Sequence, residues 1–232
     1  MIRLDKYLAD AGLGSRENAK ILIKKGRISV EGVDALKPEL KIAEDAAVFL
    51  DGKPVKRQGT VFLMMNKPAG YLTAASDPKE KTVMELLPER IPGLMPVGRL
   101  DKDTEGLLLF TNDGAISHRL LSPKKEVPRT YEFTTATPIP AEAVDFLKQR
   151  VTFSDFTSKP ALLAILGEKE GRLTVTEGKF HEVKRLMHAA GSDVVTLKRV
   201  SYGPVKLGDL PKGETRLLTE DEIAALKAAI GG

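Results

Sequence analysis

Between Gly98 and Gly114 the chain reads GRLDKDTEGLLLFTNDG, with carboxylates at Asp101, Asp103, Glu105 and Asp113. Acids spaced this closely serve calcium ligation, a solvated turn, or one carboxylate at work beside a substrate. A helix-flanked calcium loop needs a bidentate Glu at its twelfth position. Counted from Asp101, the twelfth residue is Asn112, and Pro92, Gly93, Pro96 and Gly98 exclude an entering helix. The acids open instead into Leu107–Phe110, the most apolar run of the chain, which predicts a strand buried on both faces. Asp101 then stands at the rim of a core, where neighbouring charges govern how a carboxylate behaves. A solvated turn and one working carboxylate at Asp101 both remain open on spacing alone, with Asp103 and Asp113 as turn formers and Thr104 and Asn112 shaping the loop through local bonds.

Other chemistries have less to draw on. The chain has no Cys, so thiolate nucleophiles, iron–sulfur clusters and disulfides are excluded. His118, His181 and His188 are too scattered to form a metal triad, and neither metal nor cofactor is expected. Charge is more informative. Residues 1–27 carry net +4 through Arg3, Lys6, Arg16, Lys20, Lys24, Lys25 and Arg27, and residues 179–206 carry another +4, against +4 for the whole chain. Two basic segments on a balanced background point to a polyanion touched at two places. Arg3, Asp5 and Lys6 interrupt the N-terminal stretch, no run is long enough to span a bilayer, and a cytoplasmic location without membrane partners is expected.

The elements that must position Asp101 follow from periodicity and punctuation. LDKYLADAG predicts a short helix closed at Gly12, and Ser15 caps a second, RENAKILIKK, that stops at Gly26. Ala19, Leu22 and Ile23 share its apolar face, while Arg16, Lys20 and Lys24 line the next one. RISVEGVDA and AAVFLDGKPV are hairpins turning at Glu31-Gly32 and Asp51-Gly52. Lys56–Thr60 reads as a linker, dividing the chain into domains 1–57 and 61–232. Beyond it, short strand signals alternate with TVMELL, AISHRLL, AEAVDFLKQ, FHEVKRLMHAAG and a final helix with a Thr219/Glu222 capping box. The connections are mostly too short for crossovers, so an α+β domain with a mixed, largely antiparallel sheet and flanking helices is predicted.

The first segment, RLDKYLADAGLGSRENAKILIKKGRISVEG, resembles the S4 RNA-binding module, an αα-turn on a small β-ribbon. GRLDKDTEGLLLFTNDG is similar to the signature of pseudouridine synthases of the RsuA type. NKPAGYLTA, HRLLSP, RTYEF, EGKFHEVKRLMHAAG and the late TLKRVSYGPVKLGDLPKGETRLLTEDE match in order. The resemblance implies isomerisation of uridine to pseudouridine in ribosomal RNA, with Asp101 catalytic as nucleophile or base; nothing in the sequence demands more than a monomer. Tyr131 would be the platform for a flipped base, and Lys184 the cation beside Asp101, with Arg185 as the alternative. Arg99 would fill the gap left in the RNA stack, and Lys67, Arg129 and Arg185 would contact RNA, as would the basic face of the first domain. The chain length points to small-subunit 16S RNA, free or within an assembly intermediate. The alternatives are a large-subunit substrate or a non-catalytic RNA-binding factor.

Overall fold

A short strand, β1 (Ile2–Arg3), runs straight into α1 (Leu4–Asp10), and Ser15 opens α2 (Arg16–Lys24) by accepting a bond from the Asn18 amide at 3.2 Å. Then come β2 (Ile28–Val30), β3 (Val33–Asp34), β4 (Lys41–Ile42), β5 (Val48–Leu50) and β6 (Lys53–Val55), with β3-β2-β5-β6 forming one antiparallel sheet. At both hairpins the two central residues have positive φ, 51° and 80° at Glu31-Gly32 and 49° and 76° at Asp51-Gly52. That is the backbone a two-residue turn needs to match strand twist. Leu4, Leu8, Ala19, Ile23, Ile28 and Val48 form the core beneath them.

The computed structural model describes residues 1–56, 59–89 and 91–231, so Arg57 and Gln58 of the expected linker lie outside the described residues. The chain forms two compact units. The first comprises Met1–Val61 together with Glu89–Met95 and Thr111–Asp113; the second holds Phe62–Pro88, Pro96–Phe110 and the chain from Gly114 onward. Asn112 does not shape its own loop. Its amide accepts from the Val61 N–H at 2.8 Å and donates to the Gly59 carbonyl at 2.9 Å, holding a segment about fifty residues earlier.

The second unit contains β7 (Phe62–Lys67), β8 (Met95–Pro96), β9 (Glu105–Thr111), α3 (Gly114–Leu121), β10 (Arg129–Thr135), α4 (Ala143–Leu147), β11 (Leu162–Gly167) and β12 (Glu170–Val175). It continues with α5 (Glu182–Ala189), β13 (Val194–Tyr202), β14 (Val205–Lys206), β15 (Thr215–Leu217) and α6 (Glu220–Ala229). Its main sheet runs β11-β12-β10-β13-β9-β7-β15. β11 to β13 pair antiparallel, as do β7 and β15. The two sides meet where β13 and β9 pair in parallel at Lys198↔Glu105 and Arg199↔Gly106. Gly106 is required there: its φ is 99°, and a Cβ would lie 2.2 Å from the Arg199 carbonyl oxygen.

Phe62, Met64, Leu107 and Leu109 pack against Leu120 of α3 and Leu226 of α6. The alternate residues Leu63, Met65, Leu108 and Phe110 are buried as well, so β7 and β9 are covered on both faces, as the apolar run of β9 predicts. The Thr219/Glu222 capping box forms, with reciprocal bonds of 3.2 and 2.9 Å. TVMELL is a 3₁₀ turn over Val83–Leu86 rather than an α-helix. Among the described residues no helix is long and apolar enough to cross a membrane.

Candidate active site

The loop that carries Asp101 is held from below by the strand and turn at residues 62–74. Lys67, at the end of β7, is fully buried, and its ammonium donates to the carbonyls of Pro68, Asp101, Lys102 and Thr104 at 3.1, 3.1, 3.2 and 2.9 Å. The Gly70 amide bonds the Lys102 carbonyl at 2.7 Å. Thr73 clamps Leu100 from both sides, its hydroxyl donating to the carbonyl at 2.8 Å and accepting from the amide at 3.1 Å. Every polar contact in this group fixes backbone, so NKPAGYLTA is the mould of the loop. The expected RNA contact of Lys67 is therefore corrected, because a fully buried amine cannot reach a phosphate. Burial pulls the Lys67 ammonium down to about 8, while Asp103, Asp101 and Glu105 act in the opposite direction.

Above the loop lies a cleft of about 480 Å³ lined by Arg99, Leu100, Asp101, Thr104, Arg129, Tyr131, Phe180, His181, Arg199 and Tyr202, among others. The Asp101 carboxylate is partly exposed. Its Oδ2 lies 3.7 Å from Lys184 Nζ and 3.6 Å from His181 Nε2. Lys184 makes its short bonds elsewhere, at 2.7 Å to each oxygen of Asp103, and this contact holds the Asp103 carboxyl below its ordinary range. Asp103 is thus more than a turn former: it fixes the cation that faces Asp101.

Lys184 and Arg185 are successive residues of α5, about 100° apart around its axis. Arg185 turns away to Asp155, at 3.0 and 2.5 Å, with its guanidinium over the rings of Phe153 and Phe156. Of the two, Lys184 is the one beside Asp101. His181 precedes the helix with φ 51° and ψ 32°, a left-handed conformation that is costly for a bulky residue and recurs at functional sites.

The floor of the cleft comes from β10 and β13. Tyr131, Arg199 and Gly106 form one row across three strands. Arg199 is buried, its Nε donating to the Leu107 carbonyl at 2.7 Å and its Nη1 approaching the Tyr131 hydroxyl at 3.4 Å. Arg129, on the same face, is also buried. It bonds the Glu177 carbonyl and, at 3.0 Å, the Tyr202 hydroxyl. Both guanidiniums lie against the Tyr202 ring. The expected role of Arg129 as a contact to the RNA backbone is corrected accordingly: it braces the floor. Among the described residues Arg199 Nη2 and Thr104 Oγ1 are buried with no hydrogen-bond partner, so the expected local bond of the Thr104 side chain is not made. Burial pushes the Glu182 carboxyl up to about 7 against the opposing bond from the Lys179 amide.

Sequence reasoning missed Arg199, Phe180, His181 and the partnership of Asp103 with Lys184. A signal for Arg199 existed: it shares strand parity with inward-facing Leu197. Arg99 is exposed at the cleft. In the first unit, Arg3 and Arg16 both bond the buried Asp5, Arg16 at 3.0 and 2.9 Å. Burial alone would raise that carboxyl, but the two guanidiniums hold it at about 2. Lys6 pairs with Asp10, Lys20 with Glu17 and Arg27 with Asp51, while Lys24 and Lys25 are exposed at the end of α2.

Residues 61–189 match the RNA pseudouridylate synthase family model and residues 2–48 match the S4 domain. An RNA pseudouridine synthase of Bacillus subtilis is 44% identical, over 97% of this chain and 98% of its own length. The ribosomal small subunit pseudouridine synthase A of Escherichia coli is 38% identical, over 97% of this chain and 100% of its own. A solved pseudouridylate synthase superposes with a TM-score of 0.70 at 32% identity, covering 97% of this chain and 100% of that one.

Proposed function

This chain belongs to the RNA pseudouridylate synthase family, and on that premise we propose that it isomerises a uridine of 16S ribosomal RNA in the cytoplasm, with Asp101 as the catalytic carboxylate. One observation carries the assignment of Asp101. It is a carboxylate on the cleft with Lys184 Nζ and His181 Nε2 both within 4 Å of one oxygen. The reaction breaks C1′–N1, turns the base and forms C1′–C5; the C5 proton leaves and N1 gains one, so no electrons are exchanged. The carboxylate serves at the sugar as nucleophile or base, with Lys184 Nζ 3.7 Å from its Oδ2.

A uridine inside folded RNA must leave its stack to reach such a group. Tyr131 supplies the ring beneath the extruded base, and Arg99 enters the vacated stack. Arg199 Nη2 and Thr104 Oγ1 remain as buried polar groups suited to a polar ligand edge. Residues 1–57 act as the docking module, whose exposed Lys24, Lys25 and partly exposed arginines meet phosphate, and residues 61–232 carry the chemistry. The protein works as a monomer on the RNA or on an assembly intermediate.

The test is release of tritium from 16S RNA labelled at uracil C5. Isomerisation frees tritium while the base stays attached, whereas glycosidic hydrolysis frees uracil. Asp101→Asn is expected to abolish release and keep RNA affinity within about twofold. Full activity in that variant overturns the assignment, and release only from 23S RNA overturns the choice of substrate.

A further inference from the structure

Phe180 is 71% exposed, the most exposed aromatic side chain among the described residues, and it lines the cleft. In an extended chain successive side chains point apart. Here the left-handed turn at His181 folds the Phe180 and His181 rings onto each other, centroids 3.7 Å apart and planes 21° from parallel. One face of Phe180 is thereby covered and its plane is set. His181 in turn reaches Asp101 Oδ2 at 3.6 Å. A wet phenyl ring, braced from behind by a residue that approaches the working carboxylate, offers its open face to a flat apolar partner.

We infer that the outer face of Phe180 is a stacking subsite for the base of a nucleotide adjacent to the extruded uridine. The inference rests on the reading that the cleft takes a flipped uridine. Extrusion strips a neighbouring base of one stacking partner, and an aromatic ring replaces it without regard to sequence, because every base has a π-face. Lys179, the preceding residue, is exposed with its ammonium 5.6 Å from the Phe156 ring centroid, and supplies positive charge for the phosphate of that nucleotide. The subsite is distinct from Tyr131, which lies on the buried floor.

The chain has no Trp, so Phe180→Trp places a single indole at this position. Titration with the 16S transcript is expected to quench its emission, and abasic ribose on either side of the target is expected to remove the quenching. In tritium release, Phe180→Leu should lower kcat/KM about tenfold, the scale of one base–aromatic stack, and Phe180→Tyr should restore it. Abasic flanks should cost wild type about the same factor and cost Phe180→Leu nothing further. Unaltered turnover by Phe180→Leu, or losses that multiply, overturns the subsite. A wild-type chain that released no tritium would refute the isomerase reading instead. The indole titration then still decides, with quenching in favour and silence against. Emission that responds to ribosomal proteins and not to the RNA also overturns it.

Discussion

Replacing Lys67 by Met separates the mould of the loop from contact with RNA. Lys67 is fully buried and its ammonium serves four carbonyls at 2.9–3.2 Å, three of them in Asp101–Thr104. Leaving those acceptors without a donor costs about 1–3 kcal/mol each. Against that, the fall of the ammonium to about 8 corresponds to roughly 3 kcal/mol returned when no charge has to be buried. With four acceptors, the net loss expected in urea unfolding is about 1–9 kcal/mol. The effect on turnover should be larger, about 100-fold or more, because the carboxylate loses its fixed position and a shift of about 1 Å suffices for that. Affinity for RNA should keep its dependence on salt. If Lys67 touched a phosphate, the logarithmic slope would drop by about 0.7–0.9, and that outcome, or wild-type turnover, would refute the reasoning. The pH dependence has two opposite limbs. Unfolded chain keeps this proton to about 10.4 and folded chain to about 8. The unfolded state therefore holds more protons between those values, and this group's contribution to stability rises with pH there. Turnover of wild type falls above pH 8 as the amine loses a donor, and Lys67→Met lacks that limb.

Gly106→Ala forces a left-handed backbone and a clash with the Arg199 carbonyl. A loss of about 3 kcal/mol or more is expected as a lower urea midpoint at unaltered slope. Glu182 is held protonated to about 7 in the folded chain and to about 4.3 unfolded, so its contribution to stability falls as pH rises across that window. Glu182→Gln should gain up to about 3 kcal/mol at pH 8 and nothing near pH 4, read by circular dichroism. Asp5, held at about 2, contributes stability above about pH 3.9 that is lost as pH falls toward 2. Asp5→Asn should cost about 2–3 kcal/mol at pH 7 and little at pH 2, again by denaturant titration. Lys184→Met should reduce tritium release by about 100-fold or more, with Lys184→Arg recovering part of it.

Short-range signals were legible and long-range polar partnerships were not. Ser15 capping α2, the two hairpins at Glu31 and Asp51, and the Thr219/Glu222 box each depend on residues within three or four positions, so spacing carries them. The acidic loop running into a doubly buried strand is itself a local pattern, but it took the resemblance of GRLDKDTEGLLLFTNDG to a family signature to single out Asp101 among its acids. Lys67 could not be placed by the same means, since its acceptors lie up to 37 residues away and a lysine in a turn looks the same whether caged or solvated. Arg199 needed the pairing of β13 with β10 and β9 before its row with Tyr131 and Gly106 existed. Asn112 was read as local because Asn residues in turns often bond their own backbone, and here distant acceptors and donors won.

The parallel seam between β9 and β13 bears on how the enzyme matures. Asp101 precedes β9, whereas Tyr131, Lys184 and Arg199 come from the segment 129–202 on the other side of the seam. Neither half holds the whole of the proposed site, and they are joined by a pairing between residues more than ninety positions apart in the chain. Contacts of such separation carry a large loop-closure cost and form slowly. During refolding, secondary structure should return before turnover does, which makes tritium release a clock for the closing of that seam.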